Sequence, residues 1–449
     1  MKGEAWALVR RRVDRGAVAH ARRRLALLLL LPLLAACASV ASRDTMDAAA
    51  RDYVRLQLAI GEKEEGYIDA YYGPPELLAE GKAIGQADGL PQLAARVEAL
   101  SSRIGAMSAG ASGMDARRAR FLLAQLTAAR TRLRMLQGEK LSFETEAEGL
   151  FGVRPELKPL SAFDPVLAQI ERLFPGDGPL WQRVDAFAER FVIPSARLKS
   201  VFDAAIAECR ARTVRHIPLP PGERFDLAFV TGKNWSGYNY YLGNFTSRIE
   251  INTDLPIRMP RAVDLGCHEG YPGHHLLNAL IEQRLVRERG WVEFSVYPLY
   301  SPQSLLAEGS ANYGIDLAFP GPEKLAYETR ILYPLAGLPV AEAARYEQLL
   351  DATRALQGAR FTIARELLEG RVSEAEAVRL TQKYQLVSEA RARQSVKFTQ
   401  QYRSYVINYG LGRDMVAADV EAAGADAAAR WRRMEQLLSE PTLPSDLRR

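Results

Sequence analysis

Three of the chain's five histidines lie in one short segment, directly beside a glutamate. Residues 267–275 read Cys-His-Glu-Gly-Tyr-Pro-Gly-His-His, which places His268, Glu269, His274 and His275 close together along the chain. A neutral imidazole nitrogen binds zinc at about 2.1 Å, and a nearby carboxylate can accept a proton from the water that such a metal activates. The segment therefore predicts a zinc site that activates water.

The spacing of these residues differs from the common helical motif HExxH, in which the second histidine lies four positions after the first. Here that position is Pro272, which removes a backbone donor and clashes with the preceding turn, and Gly273 follows it. We therefore expect the helix to be kinked, bulged or restarted between the histidines. An unbroken helix would place His275 on the face of His268, whereas a bulge could return His274 to that face. Both stay candidates for the second ligand.

A third ligand has to come from another element, and the best candidate is Glu308. It lies in an apolar segment, residues 305–313, that is typical of a buried helix. A second helix of this kind can pack against the histidine helix and bring one carboxylate to the metal. The expected ligand set is therefore His268, one of the two later histidines, and Glu308.

The elements that must hold this site are mostly helices. The chain is 48% hydrophobic and 25% charged, a globular-enzyme composition that excludes a disordered or fibrous chain. Residues 45–213 and the chain beyond residue 260 have apolar residues at helical spacing. Between these regions, aromatic and β-branched residues predict three short strands at residues 225–230, 238–241 and 247–253. The sequence thus predicts a mainly α fold with a small antiparallel sheet.

We divide the chain into three parts: a lipoprotein signal peptide at residues 1–36, an N-terminal helical lobe at 37–220, and a metal-site lobe at 221–449 that begins with the sheet. No Ser/Gly-rich linker and no strong change of composition follows residue 45. The two lobes are therefore expected to form one continuous structural unit.

The leader predicts where the protein is found. Residues 1–36 hold eight basic and two acidic residues, and their apolar core, 25–36, is too short to span about 30 Å of hydrocarbon. The core ends in Leu-Ala-Ala before Cys37, which resembles the lipobox at which bacterial lipoproteins are cleaved and lipidated. This predicts a lipid anchor in the cell envelope, on the periplasmic face. Because Ala38 rather than aspartate follows the cysteine, the outer membrane is favoured.

The rest of the chain is nearly neutral once the leader is removed, which excludes a basic nucleic-acid surface. Only Cys209 and Cys267 remain after Cys37. An oxidising compartment would permit them to pair, but two cysteines alone do not predict a disulfide. We expect both to be buried and free.

Three segments of the chain resemble a known bacterial family. They are residues 237–253, the His-Glu-x-x-Pro-Gly-His run that begins at residue 268, and the Glu-Gly pair at residue 308. They occur in the order found in the domain of unknown function 885, which is grouped with the gluzincin metallopeptidases. The resemblance covers roughly residues 50–440. It implies a gluzincin-like architecture, with helical lobes flanking an active-site cleft.

The resemblance also implies roles for single residues. His268, His274 and Glu308 would be the zinc ligands, and Glu269 would be the general base that activates the water. The family motif thus favours His274 over His275. Tyr409, in a segment that resembles a late Tyr-x-x-Gly element of the family, would donate a hydrogen bond to the tetrahedral oxyanion.

A substrate strand is a further expectation from the resemblance. The strand with Arg248, Glu250 and Asn252 would be an edge strand that pairs with an extended peptide. The chain departs from the family at residues 360–366, where an aspartate and a downstream histidine are expected and neither is found. Because these two residues are absent, the resemblance does not imply which other groups assist the transition state. It still implies the same metal ligands.

Taken together, these patterns predict a zinc-dependent metallohydrolase, most simply a peptidase, with Zn²⁺ as cofactor and a peptide-like substrate. The alternative is a non-catalytic envelope lipoprotein that binds peptide or peptidoglycan on the same scaffold. Glu269 argues against this alternative, because a binding site has no need of a general base. A serine hydrolase is disfavoured because the chain has no Gly-x-Ser-x-Gly motif, and phosphate-loop and dinucleotide fingerprints are absent from the sequence as well.

Overall fold

The computed structural model describes residues 45–447, and this part of the chain consists mainly of helices. The predicted signal peptide and the predicted lipid attachment at Cys37 lie outside the described residues. Among the described helices, none combines the length and the apolar composition needed to cross a membrane.

Eight α-helices precede the central sheet within the described chain. Amphipathic spacing places their apolar residues in the interior, and several have a proline in the first turn, which its fixed φ suits. They are α1 (Met46–Gly61), α2 (Pro75–Ala87), α3 (Leu90–Ser108), α4 (Gly113–Leu136), α5 (Phe143–Phe151), α6 (Asp164–Leu173), α7 (Leu180–Glu189) and α8 (Leu198–Thr213). One short strand, β1 (Ile68–Tyr71), lies between α1 and α2.

The central sheet has three strands, β2 (Arg224–Val230), β3 (Gly237–Gly243) and β4 (Thr246–Asn252). Their order is β2-β4-β3: β3 and β4 form an antiparallel hairpin, and β2 pairs with β4 in parallel. The three predicted strands are confirmed, and so is the mainly α fold class. The sheet is mixed, however, because the chain passes from β2 to the far edge of the sheet before β4 enters the middle.

The helices after the sheet, within the described residues, contain the predicted metal ligands. They are α9 (Pro260–Glu269), α10 (His274–Ile281), α11 (Pro302–Ala318), α12 (Glu323–Tyr327), α13 (Tyr333–Ala336), α14 (Ala343–Arg354), α15 (Gln357–Leu368), α16 (Glu374–Gln385), α17 (Glu389–Tyr402), α18 (Ile407–Glu421) and α19 (Ala427–Ser439). A last strand, β5 (Val296–Pro298), precedes α11 and pairs with β1 in an antiparallel sheet. This pairing brings the N-terminal segment next to the element that carries Glu308.

Two hydrophobic cores hold these elements together, and each contains residues from both sides of residue 220. Helices α11 and α18 approach very closely where Gly309 lies against Gly412. A Cβ atom at Gly309 would lie 2.5 Å from the backbone of Gly412, so only glycine permits this contact. The close contact fixes α18 against α11, the helix that carries Glu308.

The two cysteines are not free, so that expectation is wrong. Cys209 of α8 and Cys267 of α9 form a disulfide with a Cα–Cα distance of 5.4 Å. Both are fully buried, as expected, but α8 packs along α9 and holds the two side chains within bonding range. This packing could not be predicted from the sequence, since the cysteines are 58 residues apart. The disulfide ties α8 to the residue directly before His268.

Candidate metal centre

The histidine segment folds as two helices separated by a sharp break. Helix α9 ends at Glu269, and α10 begins at His274 after a turn that contains a cis Tyr271–Pro272 peptide bond. At Gly273 the chain passes directly over the end of α9, and a Cβ atom there would lie 1.8 Å from the carbonyl oxygen of His268. The predicted restart of the helix is therefore confirmed. It turns the first residue of α10 back toward the last turn of α9.

Because of this break, His268 and His274 lie side by side. Their ring centroids are 4.6 Å apart, and their planes are perpendicular. Helix α11 brings Glu308 to both: its Oε2 atom lies 3.2 Å from Nε2 of His268 and 3.8 Å from Nε2 of His274. All three residues are largely buried. Glu269 completes the cluster, since its carboxylate and the two histidines offer ligand atoms within 4.8 Å of one another.

Histidine 275 points away from this cluster. Its side chain is fully buried, with Nδ1 2.8 Å from Oγ of Ser247 and Nε2 3.0 Å from Oε2 of Glu223. Both ring nitrogens are thus occupied by protein partners. The geometry therefore brings His274, and not His275, to His268 and Glu308.

Electrostatics couples the three candidate ligands. Burial raises the pKa of Glu308, but the adjacent imidazoles outweigh burial and hold it well below its usual range. Burial lowers the pKa of His274, but Glu308 outweighs this effect and raises it to about 9. Burial also raises the pKa of Glu269, and the charges of His268 and His274 offset part of the shift. A raised pKa suits a carboxylate that has to accept a proton near neutral pH.

The donor set fits a zinc ion. Ligand atoms of a tetrahedral zinc site lie about 3.4 Å apart, because each is about 2.1 Å from the metal, and the two nitrogen–oxygen distances here are 3.2 and 3.8 Å. Oε2 of Glu308 and Oε2 of Glu269 are buried without a hydrogen-bond partner. Buried carboxylate oxygens are costly to leave without a hydrogen bond, and a bound cation would satisfy both atoms.

Two tyrosines from the C-terminal region complete the surroundings of the cluster. Tyr405 donates a hydrogen bond of 2.8 Å to Oε1 of Glu308. The ring of Tyr409 lies nearly parallel to that of His268, with centroids 6.4 Å apart. Burial raises the pKa of both hydroxyls well above the usual value, so both stay protonated donors at neutral pH. The structure thus places the ring of Tyr409 beside the cluster and adds Tyr405.

The hydrogen bond from Tyr405 predicts a measurable effect on metal binding. Tyr405→Phe removes the donor that fixes Glu308, and loss of such an outer partner typically lowers metal affinity by about 10- to 100-fold. Competition with a chromophoric chelator would measure the change. Tyr402→Phe is the matched control, because Tyr402 lines the same cleft with no hydrogen bond to a ligand, and it should keep the affinity of the wild type. Equal affinities of Tyr405→Phe and wild type would contradict this role.

The strand predicted to bind substrate is not an edge strand. β4 is the central strand of the sheet and is paired on both sides, so no backbone edge is open to a peptide. Arg248 and Glu250 of β4 pair with each other, and Asn252 donates to the carbonyls of Lys233 and Trp235. The edge strand beside the cluster is β3. Its Asn239 donates to the carbonyl of Glu269, and its Gly237 allows the Glu269 carboxylate to approach.

The cluster opens into a cleft of about 620 Å³. The cleft is lined by β3, by the helices α9 to α12 and α14 to α18, and by Asp69 of β1. Asp69 accepts a hydrogen bond from Tyr238, and burial raises its pKa to about 6 although this bond acts in the opposite direction. The N-terminal segment thus contributes an acidic group to the cleft.

The raised pKa of Asp69 predicts how the stability of the protein depends on pH. The pKa of the Asp69 carboxyl is about 4 in the unfolded chain and about 6 in the folded chain, so the folded chain binds more protons. The contribution of Asp69 to stability is therefore fully present below pH 4, and it is lost as the pH rises through 6. Metal-free Asp69→Asn should therefore be more stable than wild type at pH 8 by an amount on the order of 2 kcal/mol. Below pH 4 the difference should vanish. Urea unfolding at both pH values measures this, and an equal gain at both would contradict the shift.

Sequence reasoning missed three groups of the cleft: Tyr405, Asp69 and Arg360. For Tyr405 a signal was present, since it lies four residues before Tyr409, a spacing at which helical side chains are neighbours. Arg360 lies in the segment that departs from the resembled family, and this departure is the only signal that the sequence contains there. Asp69 gave no signal, because its approach to the cluster depends on the pairing of β1 with β5.

Comparison with solved structures finds matches of low sequence identity. The “putative lipoprotein” from Colwellia psychrerythraea matches with a TM-score of 0.50 and 14% identity, over 83% of this chain and 72% of that chain. An M32 carboxypeptidase from Deinococcus radiodurans R1 matches with a TM-score of 0.37 and 14% identity, over 87% and 88% of the two chains. At 14% identity, the similarity to the Colwellia psychrerythraea protein concerns the fold alone. No protein-family model matches the sequence, and no curated protein matches it either.

Proposed function

We propose that this protein is a zinc-dependent hydrolase that cleaves peptide bonds. One observation carries the proposal: His268, His274 and Glu308 converge at ligand distances beside Glu269, and buried oxygens of both carboxylates have no hydrogen-bond partner. A site that only bound a metal would not need the second carboxylate. When bound, zinc would polarise the substrate carbonyl and make water more acidic.

The chain's own residues account for the proton transfers of the reaction. Glu269 accepts a proton from the attacking water as the water oxygen bonds to the carbonyl carbon. The carbon–nitrogen bond then breaks, and Glu269 returns the proton to the leaving amine. Tyr409 donates a hydrogen bond to the oxyanion that forms in between. Asn239 fixes the backbone at Glu269 and so orients the base.

The proposed setting is the cell envelope, with the mature chain anchored by lipid at Cys37. The lipobox-like end of the leader supports this setting, and the fold similarity to a protein described as a lipoprotein agrees with it. We also propose membership of the domain of unknown function 885 family on the three matching segments. The edge strand β3, rather than β4, is the strand beside which an extended peptide would lie.

A defined peptide mixture tests this proposal. The zinc-loaded mature protein should cleave a subset of peptides, as followed by mass spectrometry, and a chelator should stop cleavage until zinc is restored. The chelator-treated protein is the matched control, because it differs only in the metal. A protein that holds zinc and cleaves none of the peptides would contradict the proposal and favour the binding module.

A further inference from the structure

Most charged side chains that line the cleft are paired with partners of opposite charge or with backbone carbonyls. The paired cations are Arg354 and Arg413 with Asp316, Lys324 with Glu347, Arg261 with Asp264, and Arg391 with the carbonyl of Pro256. Glu269 and Glu308 belong to the metal centre. Of the described groups that line the cleft, this leaves one cation, Arg360, with neither an ion pair nor a hydrogen bond to a carbonyl, and one anion, Asp69, without an ion pair.

The Arg360 guanidinium lies beside Tyr409, whose ring also lies next to that of His268. Its Cζ atom is 5.7 Å from the ring centroid of Tyr409 and 5.5 Å from that of Phe398. Nε is buried and has no hydrogen-bond partner, and no described residue forms an ion pair with the group. A planar guanidinium with free N–H groups binds a carboxylate through two parallel hydrogen bonds. The unpaired cation therefore suits a carboxylate supplied by the ligand.

Asp69 of β1 is the anion among the lining groups that has no ion pair. It accepts a hydrogen bond from the hydroxyl of Tyr238, whose ring stands between Trp235 and Tyr240, with centroids 5.5 and 4.5 Å away. No Lys or Arg of the described chain pairs with it. A buried carboxylate without a cation is costly, so the site favours a ligand that carries an ammonium group.

We propose that the cleft selects short peptides with both termini free, and that Asp69 binds the α-ammonium group while Arg360 binds the α-carboxylate. This inference rests on the proposed peptidase function, because it names the substrate class of that site. The cleft volume of about 620 Å³ is that of a ligand of a few residues. Charge balance supports the same substrate, since a zwitterion neutralises both unpaired groups at once.

The test is a set of one tripeptide in four forms: free, N-acetylated, C-amidated, and blocked at both ends. Affinities are measured by calorimetry with the zinc-loaded Glu269→Gln protein, so that turnover does not interfere. Each block should weaken binding by about 10- to 100-fold, the usual range for a hydrogen-bonded charge pair. Asp69→Asn should remove only the penalty of the acetyl block. Arg360→Met should remove only the penalty of the amide block.

Arg354→Met is the matched control, because Arg354 lines the same cleft but is paired with Asp316, and it should keep both penalties. Zinc content is measured for every variant, and loss of metal from Asp69→Asn would overturn its assignment to the ammonium group. Blocks without effect, or penalties that both variants change alike, would overturn the inference even if the wild type hydrolyses peptides. Terminus-dependent binding by a wild type that cleaves nothing would support the two anchors and contradict the peptidase.

Discussion

Glu269→Gln is expected to slow peptide hydrolysis by roughly 10²- to 10⁴-fold, the range that removal of a general base usually produces. Glutamine has nearly the size of glutamate but cannot accept the proton. The close approach of Gly237 to the carboxylate leaves little space around this side chain, so an isosteric replacement preserves the site best. Initial rates on the same peptide, with wild type and variant at equal zinc occupancy, measure the effect.

Zinc content separates this result from simple damage to the metal centre. The variant should keep its zinc, because the two histidines and Glu308 remain in place. Glu171→Gln, the same chemical change at an exposed residue paired with Arg183, should keep full activity. A Glu269→Gln variant that retains activity within a few-fold of wild type would rule out Glu269 as the base.

Removal of the disulfide is expected to have the second large effect. Cys209→Ala with Cys267→Ala should lower the free energy of unfolding by about 4 kcal/mol, because the cross-link closes a loop of 58 residues and restricts the unfolded chain. Zinc affinity should fall as well, since Cys267 directly precedes His268. Urea unfolding of the metal-free protein measures the first effect, and chelator competition measures the second.

The wild type with and without a thiol reductant provides an internal control for the cross-link. Reduction should lower the stability of the wild type toward that of the double variant, and it should leave the double variant unchanged. Equal stability of the oxidised and reduced wild type would show that the disulfide contributes nothing to the fold.

The candidate metal ligands could be predicted from the sequence because the pattern that indicates them is local. Three histidines beside a glutamate indicate zinc by residue type alone, and Glu308 followed from an apolar helix with one acidic residue. The spacing alone could not decide whether His274 or His275 is the second candidate ligand. It depends on the direction in which α10 restarts, which the turn around Gly273 sets.

The parts that could not be predicted depend on contacts between distant segments. Three strands were recognisable from their residues, but their order was not, because β4 enters between two strands that precede it in sequence. The disulfide and the position of Asp69 could not be predicted either, because each depends on how elements distant in sequence pack together. Local patterns therefore predicted which residues form the candidate site, and the tertiary fold determines which strand and which charged groups line its cleft.

The most direct test of the account is the metal content of the purified mature protein, measured by elemental mass spectrometry beside a His268→Ala variant. We expect close to one zinc per chain, and loss of that zinc in the variant, because His268 is one of the three proposed ligands. Absence of metal even after zinc supplementation would contradict the proposed hydrolase and favour a binding module on the same fold.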